Sequence, residues 1–259
     1  MTQKSRYETL SFLSSGTPDS EIAHARLASL YGERPADKAD AIVALGGDGL
    51  MLQALHRFMG ANVPIFGMNR GSVGFLMNEY REEGLRERLE EATASTVRPL
   101  MMRARDWNCG EHVARAINEV SLLRQTNQVA KMRITVDHEE RLNELVADGV
   151  LVATPAGSTA YNLSAGGPIL PLELRLMALT PISAFRPRRW PGAILPDHAT
   201  IEIEILEAHK RPVAAVADHV EFRDVAHVSV ALDFATGLKL LHDPGHSLQE
   251  RIFREQFKH

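Results

Sequence analysis

The strongest constraint on the fold is a change of sequence pattern near residues 95–100. Before this point, short apolar runs alternate with amphipathic segments of helical period. We predict strands at residues 7–13, 41–45 and 63–68, and helices at residues 18–30, 50–59 and 81–92. Strands that alternate with helices indicate a parallel sheet with helices on its faces.

After the change, strand-like segments follow one another with few helical stretches between them. They lie at residues 101–107, 114–123, 132–136, 149–153, 200–206, 213–216 and 228–232. Residues 200–206 read TIEIEIL, an alternation that is typical of a strand with one face in water. We therefore predict an α/β domain at residues 1–97 and a mostly antiparallel β domain at 98–236. A tail at 237–259, helical over 248–257, is expected to pack back on the first domain.

Composition excludes several function classes. The chain has 259 residues, 29 basic and 33 acidic, and a formal net charge of -4, which disfavours a general grip on nucleic acid or an anionic membrane. Its single cysteine, Cys109, permits no intrachain disulfide. No apolar stretch approaches the roughly 20 residues of a membrane-spanning helix, and the first residues lack the apolar run of a signal peptide. We expect a cytoplasmic protein.

The segment at residues 153–169, ATPAGSTAYNLSAGGPI, carries the strongest functional signal. It follows an apolar strand-like run and offers Thr159, Tyr161, Asn162 and Ser164 as hydrogen-bonding groups among glycines. Such a loop can bring backbone N–H groups and side-chain donors close to a polyhydroxylated or phosphorylated ligand. The alternative is a long irregular connection, which would not need so many of these groups.

A second glycine cluster, GGDG, comprises Gly46, Gly47, Asp48 and Gly49. It stands between a predicted strand and a predicted helix, where glycines allow a tight turn and leave room for a ligand. Asp48 would lie at the carboxyl end of a parallel strand, where open α/β sheets bind ligands. Its charge would repel phosphate, so we expect it to accept a proton or hold a divalent cation. The alternative is a turn that caps the next helix.

Three further polar residues are weaker candidates. Asn118 and Glu119 interrupt the alternation of the strand-like segment 114–123, and a carboxylate can accept hydrogen bonds from both hydroxyls of a ribose. Asp148, at the start of the strand before the long loop, could accept from a ligand amine or hydroxyl. For the Asn-Glu pair the alternative is a solvated strand end, and for Asp148 it is a turn cap.

Taken together, these motifs resemble the NAD kinase family. GGDG, GMNRGSVGFL at residues 67–76, the Asn-Glu pair and DG followed by TPAGSTAYNLSAGGPI occur in that family's order and approximate spacing, and Asp218-His219 looks like a further family element. GGDG is shared with diacylglycerol and sphingosine kinases. The long loop combined with the Asn-Glu pair is far more specific.

The resemblance implies a fold and an activity. The fold would be an α/β N-terminal domain with a Rossmann-like parallel sheet and a mostly-β, sandwich-like C-terminal domain. The activity would be transfer of the γ-phosphoryl of ATP to the 2′-hydroxyl of the adenosine ribose of NAD, giving NADP. A divalent cation, usually Mg²⁺, would be required. Family members are usually homodimers or homotetramers. The sequence does not decide between these two states, or between ATP and polyphosphate as the phosphoryl donor.

The resemblance also implies residue roles. Asp48 matches the family's proton acceptor, with Gly46 and Gly47 in the phosphate-binding turn. The residues that match the NAD-binding positions are Asp48, Gly49, Phe75, Asn118, Glu119, Lys131, Asp148, Ala156, Thr159, Ala160, Tyr161, Asn162, Leu163 and Ser164. Two positions depart from the family pattern, because Ala156 and Leu50 stand where threonine is common. Each change removes a hydroxyl but no proton acceptor.

Two other functions remain as alternatives. A lipid kinase of the diacylglycerol type would share GGDG but has no use for the Asn-Glu pair joined to the long loop. A non-catalytic sensor of NAD or NADP would have no reason to keep the charge of Asp48 beside phosphates.

Overall fold

A computed structural model describes residues 6–71 and 75–257 of the chain. In its first part, strands alternate with helices as predicted: β1 (Leu10–Ser14), α1 (Pro18–Tyr31), β2 (Ala41–Gly46), α2 (Asp48–Arg57), β3 (Ile65–Asn69) and α3 (Leu85–Glu91). A further strand, β4 (Thr93–Val97), follows them. Local chemistry explains where α1 begins. Thr17 accepts the N–H of Ser20 at its N-terminus, and Pro18 occupies the first turn, where its missing N–H is not needed.

From residue 100 to residue 232 the elements are almost all strands. They are β5 (Leu100–Asp106), β6 (Glu111–Ala116), β7 (Glu119–Arg124), β8 (Ala130–Val136), β9 (Glu139–Ala147), β10 (Gly149–Ala153), then the short helix α4 (Tyr161–Ser164), β11 (Leu176–Ile182), β12 (Ala193–Pro196), β13 (Ile201–Ile205), β14 (Val213–Ala217), β15 (Val220–Phe222) and β16 (Val225–Leu232). The chain then forms β17 (Leu238–His242) and α5 (Leu248–Glu255). Of the helices within the described ranges, none is long and apolar enough to cross a membrane.

The chain divides into two compact units. Unit 1 comprises the described residues of Met1–Val97 and Thr236–Arg254, and unit 2 those of Arg98–Ala235 and Glu255–His259. The last strand and most of the last helix therefore belong to the unit that contains GGDG.

Unit 1 is built on one sheet with the strand order β1-β2-β3-β17-β4. The pairs β1–β2, β2–β3 and β3–β17 are parallel, and β4 is antiparallel to β17. All six residues of β2, AIVALG, are buried, as expected of a strand covered on both faces. The carboxyl end of this central strand leads directly into GGDG.

Unit 2 contains two antiparallel sheets, ordered β12-β11-β10-β7-β14-β15 and β6-β5-β16-β13-β8-β9. Buried side chains from both sheets, such as Val150 and Val152 of the first and Ile201 and Ile203 of the second, belong to one hydrophobic cluster. Two sheets that share a core in this way form a sandwich. The predicted fold class, α/β followed by a mostly-β sandwich, is confirmed.

One predicted strand is wrong in an informative way. Residues 114–123 were expected to form a single strand, but they form β6 and β7, which belong to different sheets. The break falls at Ile117 and Asn118, whose N–H groups donate to the carboxylate of Asp218 rather than to a neighbouring strand. The side chain of Asp218 therefore replaces the strand ladder at this point.

Several strands were not predicted, namely β4, β9, β11, β12, β15 and β17. The first six residues of β9, EERLNE, contain a single apolar side chain and no apolar alternation, so their sequence carries no strand signal. Helix α3 is also shorter than the predicted segment 81–92, since it begins at Leu85 after Gly84 in a left-handed conformation.

Candidate functional site

The GGDG turn joins β2 to α2 with Gly47 as the helix N-cap and Asp48 as the first helical residue. A Cβ atom built on Gly47 or Gly49 would meet no atom within 4 Å. None of the three glycines has a positive φ, so the turn does not use the left-handed conformation that favours glycine. Gly47 and Gly49 provide open space beside the backbone at the N-terminus of a helix, whereas Gly46 is packed closely against Leu50 and Ser15.

Both carboxylate oxygens of Asp48 accept backbone hydrogen bonds. The N–H of Phe75 donates to Oδ2 at 2.6 Å, and the N–H of Leu76 donates to Oδ1 at 2.7 Å. The structure thus brings together Asp48 and Phe75, which the sequence placed in one site. Of the motif at residues 67–76, residues 72–74 lie outside the described residues.

In unit 2, the Asn118–Glu119 pair sits in a turn organised by Asp218. The carboxylate of Asp218 accepts the N–H groups of Ile117, Asn118 and Glu119 at 2.6, 3.0 and 3.3 Å. Asp218 itself has a φ of 52°, a left-handed conformation that favours aspartate over most residues. The sequence suggested Asp218 as a family element but gave it no place in the site.

The long loop docks directly on this turn. Thr154 donates through its hydroxyl to the carbonyl of Ile117 at 2.8 Å, and through its N–H to the carbonyl of Asn118 at 2.9 Å. A Cβ atom on Gly157 would lie 2.2 Å from the carbonyl oxygen of Asn118, so only glycine fits there. The Asn-Glu pair and the loop, 35 residues or more apart in sequence, therefore form one structure.

The loop has an inner and an outer set of side chains. Asn162 is fully buried and donates both amide hydrogens, to the carbonyls of Ser158 and Pro168, while it accepts the hydroxyl of Thr180 at 2.7 Å. Ala156 is buried as well. Among the loop residues predicted to bind NAD, the partly or fully exposed ones are Thr159, Ala160, Tyr161, Leu163 and Ser164. The outer set is therefore the one that can meet a ligand.

The electrostatics of the turn centre on Glu119. Burial, together with the negative charge of Asp218, raises its pKa from 4.5 to about 7, against a smaller opposing effect of the Tyr161 N–H. The Oε2 atom of Glu119 is buried and has no hydrogen-bond partner within the described residues. Burial and the charges of Glu119 and Asp148 also raise the pKa of Tyr161. The side chain of Tyr161 is therefore within electrostatic reach of both carboxylates.

The comparisons with known proteins agree with this geometry. The family model described as the ATP-NAD kinase N-terminal domain matches residues 3–97, and the one described as the ATP-NAD kinase C-terminal domain matches residues 117–231. The chain belongs to the NAD kinase family. Similar curated members include the NAD kinase of Caulobacter vibrioides, 57% identical over 248 residues, with 96% of this chain and 95% of the relative covered. The NAD kinase of Rhizobium meliloti is 54% identical over 252 residues and covers 97% of this chain and 98% of the relative.

Solved structures confirm the NAD kinase fold. The yeast NADH kinase complexed with NADH superposes with a TM-score of 0.83 at 21% identity, covering 99% of this chain and 92% of that one. An NAD kinase from Archaeoglobus fulgidus in complex with ATP gives a TM-score of 0.72 at 23% identity, covering 96% of this chain and 97% of that one.

Two of the residues predicted to bind NAD, Asp148 and Lys131, already form ion pairs with other side chains of the protein. Asp148 accepts from Nε of Arg124 at 2.6 Å and is about one-third exposed. Lys131 donates to Glu207 at 2.7 Å and lies 3.6 Å from Glu144. These acidic neighbours raise the pKa of Lys131. A ligand would have to compete for either side chain.

Within residues 6–71 and 75–257, no group of three or more His, Cys, Asp or Glu side chains could hold a metal ion. A cage made by the protein alone is therefore absent from this part of the NAD kinase chain. Mg²⁺ does not require one, because it usually binds through one or two carboxylates together with substrate phosphates.

Proposed function

We propose that this protein transfers the γ-phosphoryl group of ATP to the 2′-hydroxyl of the adenosine ribose of NAD, with ADP and NADP as products. Family membership and the curated NAD kinases at 54–57% identity support the reaction. Proteins of the same fold were solved with NADH and with ATP. The observation that carries the proposal is the Asp48 carboxylate, which two backbone N–H groups orient at the carboxyl end of β2.

In this proposal Asp48 accepts the proton of the ribose 2′-hydroxyl. As the O2′–P bond forms, the bond between the γ-phosphorus and the β,γ-bridging oxygen breaks, and ADP leaves with the electron pair. Each Asp48 oxygen uses one lone pair for a backbone N–H, which leaves a second lone pair for the incoming proton. General-base help of this kind contributes roughly 10²- to 10⁴-fold.

We propose that the Asn118–Glu119 turn and the outer face of the loop bind NAD. The Glu119 carboxylate, which is half-buried, is the proposed acceptor for the ribose hydroxyls. Thr159, Tyr161 and Ser164 offer hydroxyls and Leu163 offers apolar surface, while the backbone at Ala160 completes this face. The resemblance assigns Asn118, Asp148 and Lys131 to the same ligand.

The remaining positions shape the site in this proposal. The buried Ala156 and Asn162 hold the loop, because the side chain of Asn162 is already saturated inside it. Gly47 and Gly49 keep the N-terminus of α2 open for phosphate, and Gly46, which the resemblance places in the same turn, leaves room for the side chains of Leu50 and Ser15. Phe75 flanks Asp48 and is assigned to the nicotinamide end by resemblance.

A divalent cation, Mg²⁺ by preference, fits the residues present. The phosphates of ATP would supply most ligands, with the Asp48 carboxylate as the protein group beside them. When bound, the cation neutralises charge that develops on the transferred phosphoryl group.

The lipid-kinase and sensor alternatives are less well supported. GGDG alone would serve a lipid kinase, but the loop docked on the Asn118–Glu119 turn has no role there. A sensor would not need an oriented carboxylate in a phosphate-binding turn. From the resemblance we also propose that the protein is a homodimer or homotetramer and that it acts in the cytoplasm. On the same basis, its phosphoryl donor is ATP or polyphosphate.

The test is an assay with ATP, NAD and Mg²⁺ that follows NADP formation. The wild type is expected to form NADP, whereas Asp48→Ala should still bind NAD but lose most of its turnover. Phosphorylation of diacylglycerol instead would favour the lipid kinase. NAD binding with no turnover in the wild type would favour the sensor.

A further inference from the structure

The orientation of the Asp48 carboxylate depends on residues 75–78, which comprise the end of the motif at residues 67–76 and the two residues after it. Its two hydrogen-bond donors are the backbone N–H groups of Phe75 and Leu76. Because these donors belong to the backbone, the carboxylate is held only as firmly as the segment itself. Whatever fixes this segment therefore bears on the proton transfer proposed for Asp48.

Arg251, in the C-terminal helix α5, contacts this segment along its length. Its Nη1 donates to the carbonyl oxygen of Phe75 at 2.9 Å and to that of Met77, and its Nη2 lies 3.4 Å from Oδ1 of Asn78. Its Nε donates to the carbonyl of His246 at 2.9 Å. The planar guanidinium group thus joins the end of the chain to the backbone that orients Asp48.

The far end of the segment is fixed through Asn78. This side chain is 1% exposed and donates to the carbonyls of Gly67 at 3.0 Å and Leu241 at 3.1 Å. Its Oδ1 accepts the N–H of Asp243 at 3.0 Å. Asn78 therefore fixes the end of the segment against β3 and β17, and the hydrogen bonds of Arg251 fix the segment as far back as Phe75.

We propose that Arg251 is a positioning residue for phosphoryl transfer. Its guanidinium fixes residues 75–78, and the N–H groups of Phe75 and Leu76 then hold the Asp48 carboxylate in the orientation that accepts the ribose proton. This inference rests on the proposed function, in which Asp48 is the proton acceptor.

Electrostatic interactions also link Arg251 to Asp48. Burial lowers the pKa of Arg251, and the negative charges of Asp48 and Asp243 oppose that effect. The guanidinium is therefore within electrostatic reach of Asp48 as well as linked to it through the backbone. An arginine drawn partly out of water onto carbonyl oxygens is costly unless those contacts are useful.

The same helix offers a matched control. Arg254 pairs with Glu250 at 2.8 Å, and its side chain is 60% exposed. Leu248 and Ile252 are both fully buried, so the helix keeps its apolar anchors when either arginine is replaced. Arg251→Ala and Arg254→Ala thus remove equal charge and bulk from one helix, and only the first touches residues 75–78.

The experiment measures kcat and KM for NAD, with ATP and Mg²⁺ saturating, for the wild type, Arg251→Ala, Arg251→Lys and Arg254→Ala. A misplaced catalytic group costs on the order of 10²-fold in rate. We expect a loss of kcat of about this size in Arg251→Ala. KM should change little, because the proposed ribose ligands lie elsewhere. Added guanidinium ion should restore part of the kcat, and Arg254→Ala should match the wild type.

Arg251→Lys keeps the charge but cannot contact both carbonyls in a planar fork, so its kcat should fall between those of the wild type and Arg251→Ala. If Arg251→Ala does not fold, Arg251→Lys decides: a reduced kcat with unchanged KM supports positioning, and a wild-type kcat overturns it. Equal kcat in Arg251→Ala and Arg254→Ala, or a rise in KM alone, also overturns it. A wild type that forms no NADP contradicts the proposed function itself.

Discussion

Replacing Glu119 with glutamine is expected to stabilise unit 2 at alkaline pH and to weaken NAD binding. Glu119 is held in the folded protein where its charge is disfavoured, because it is largely buried, lies near Asp218 and leaves Oε2 without a partner in the described residues. A carboxylate in such a place costs stability in the free protein. It is retained, in our proposal, because the ribose hydroxyls of NAD satisfy it.

The magnitude follows from the pKa, which rises from 4.5 to about 7 on folding. A raised carboxyl pKa means that the folded state holds a proton between pH 4.5 and 7 that the unfolded state has released. Stability from this group is therefore complete below pH 4.5 and is lost as the pH rises to about 7. At 1.36 kcal/mol per pH unit the loss is about 3 kcal/mol. Glutamine carries no charge, so Glu119→Gln should escape this loss.

Tryptophan fluorescence isolates the relevant unit, because Trp107 and Trp190 both belong to unit 2. Denaturant unfolding at pH 8.5 should show Glu119→Gln more stable than the wild type by up to about 3 kcal/mol, with the difference vanishing near pH 4.5. The control is Glu139→Gln, whose carboxylate is 68% exposed and pairs with Arg141. A stability difference that does not vary with pH would refute the reasoning.

The same substitution tests the binding role. Only the ionised carboxylate accepts from two hydroxyls, so the wild-type KM for NAD should fall as the pH rises through about 7. In Glu119→Gln, KM should be higher by roughly tenfold or more, the cost of losing a hydrogen bond to a charged acceptor. The KM of Glu119→Gln for NAD should also no longer vary with pH in this range. A parallel pH dependence in both proteins would show that another group titrates.

Three further predictions concern single contacts. Asp48→Asn should lower kcat roughly 10²- to 10⁴-fold with NAD binding, measured by calorimetry, retained; a kcat near that of the wild type would remove Asp48 as the base. Gly157→Ala should destabilise unit 2 by about 1–3 kcal/mol in denaturant unfolding and weaken NAD binding, since its Cβ would lie 2.2 Å from a backbone oxygen of Asn118; an unchanged free energy of unfolding would contradict this close approach. Burial lowers the pKa of His242 to about 4 from 6.5, so stability should fall as the pH drops from 6.5 to 4, by up to about 3 kcal/mol; thermal melts of His242→Leu should lack this acid sensitivity.

The sequence was sufficient for the elements whose own residues determine them. Residues 18–30 and 41–45 were predicted close to the observed bounds of α1 and β2, because helical period, a Thr-Pro start and a continuous apolar run are local signals. Strand β17 was missed for the opposite reason. Its five residues, LKLLH, are a strand only because they pair between β3 and β4, and that pairing is not visible in a short segment.

The residues of the candidate site differ in the same way, because only some of them have a local sequence pattern that predicts their role. GGDG and the long loop were found from their composition, but Asp218 was not, although it accepts three consecutive N–H groups at the Asn118–Glu119 turn. An isolated aspartate a hundred residues away has no pattern that connects it to a turn. Arg251 is missed in the same way, since its partners are carbonyl oxygens, which every residue possesses.

The loop itself shows why a count of hydroxyls and amides overstates the number of ligand contacts. Thr154, Ser158 and Asn162 use their side chains inside the loop, where they satisfy buried backbone groups of a segment that has no strand or long helix to do so. A long irregular connection near a core needs such groups whether or not it binds anything. What distinguishes this loop is that its inner polar residues fix an outer face, Tyr161 included, beside Glu119, whose Oε2 atom has no hydrogen-bond partner within the described residues.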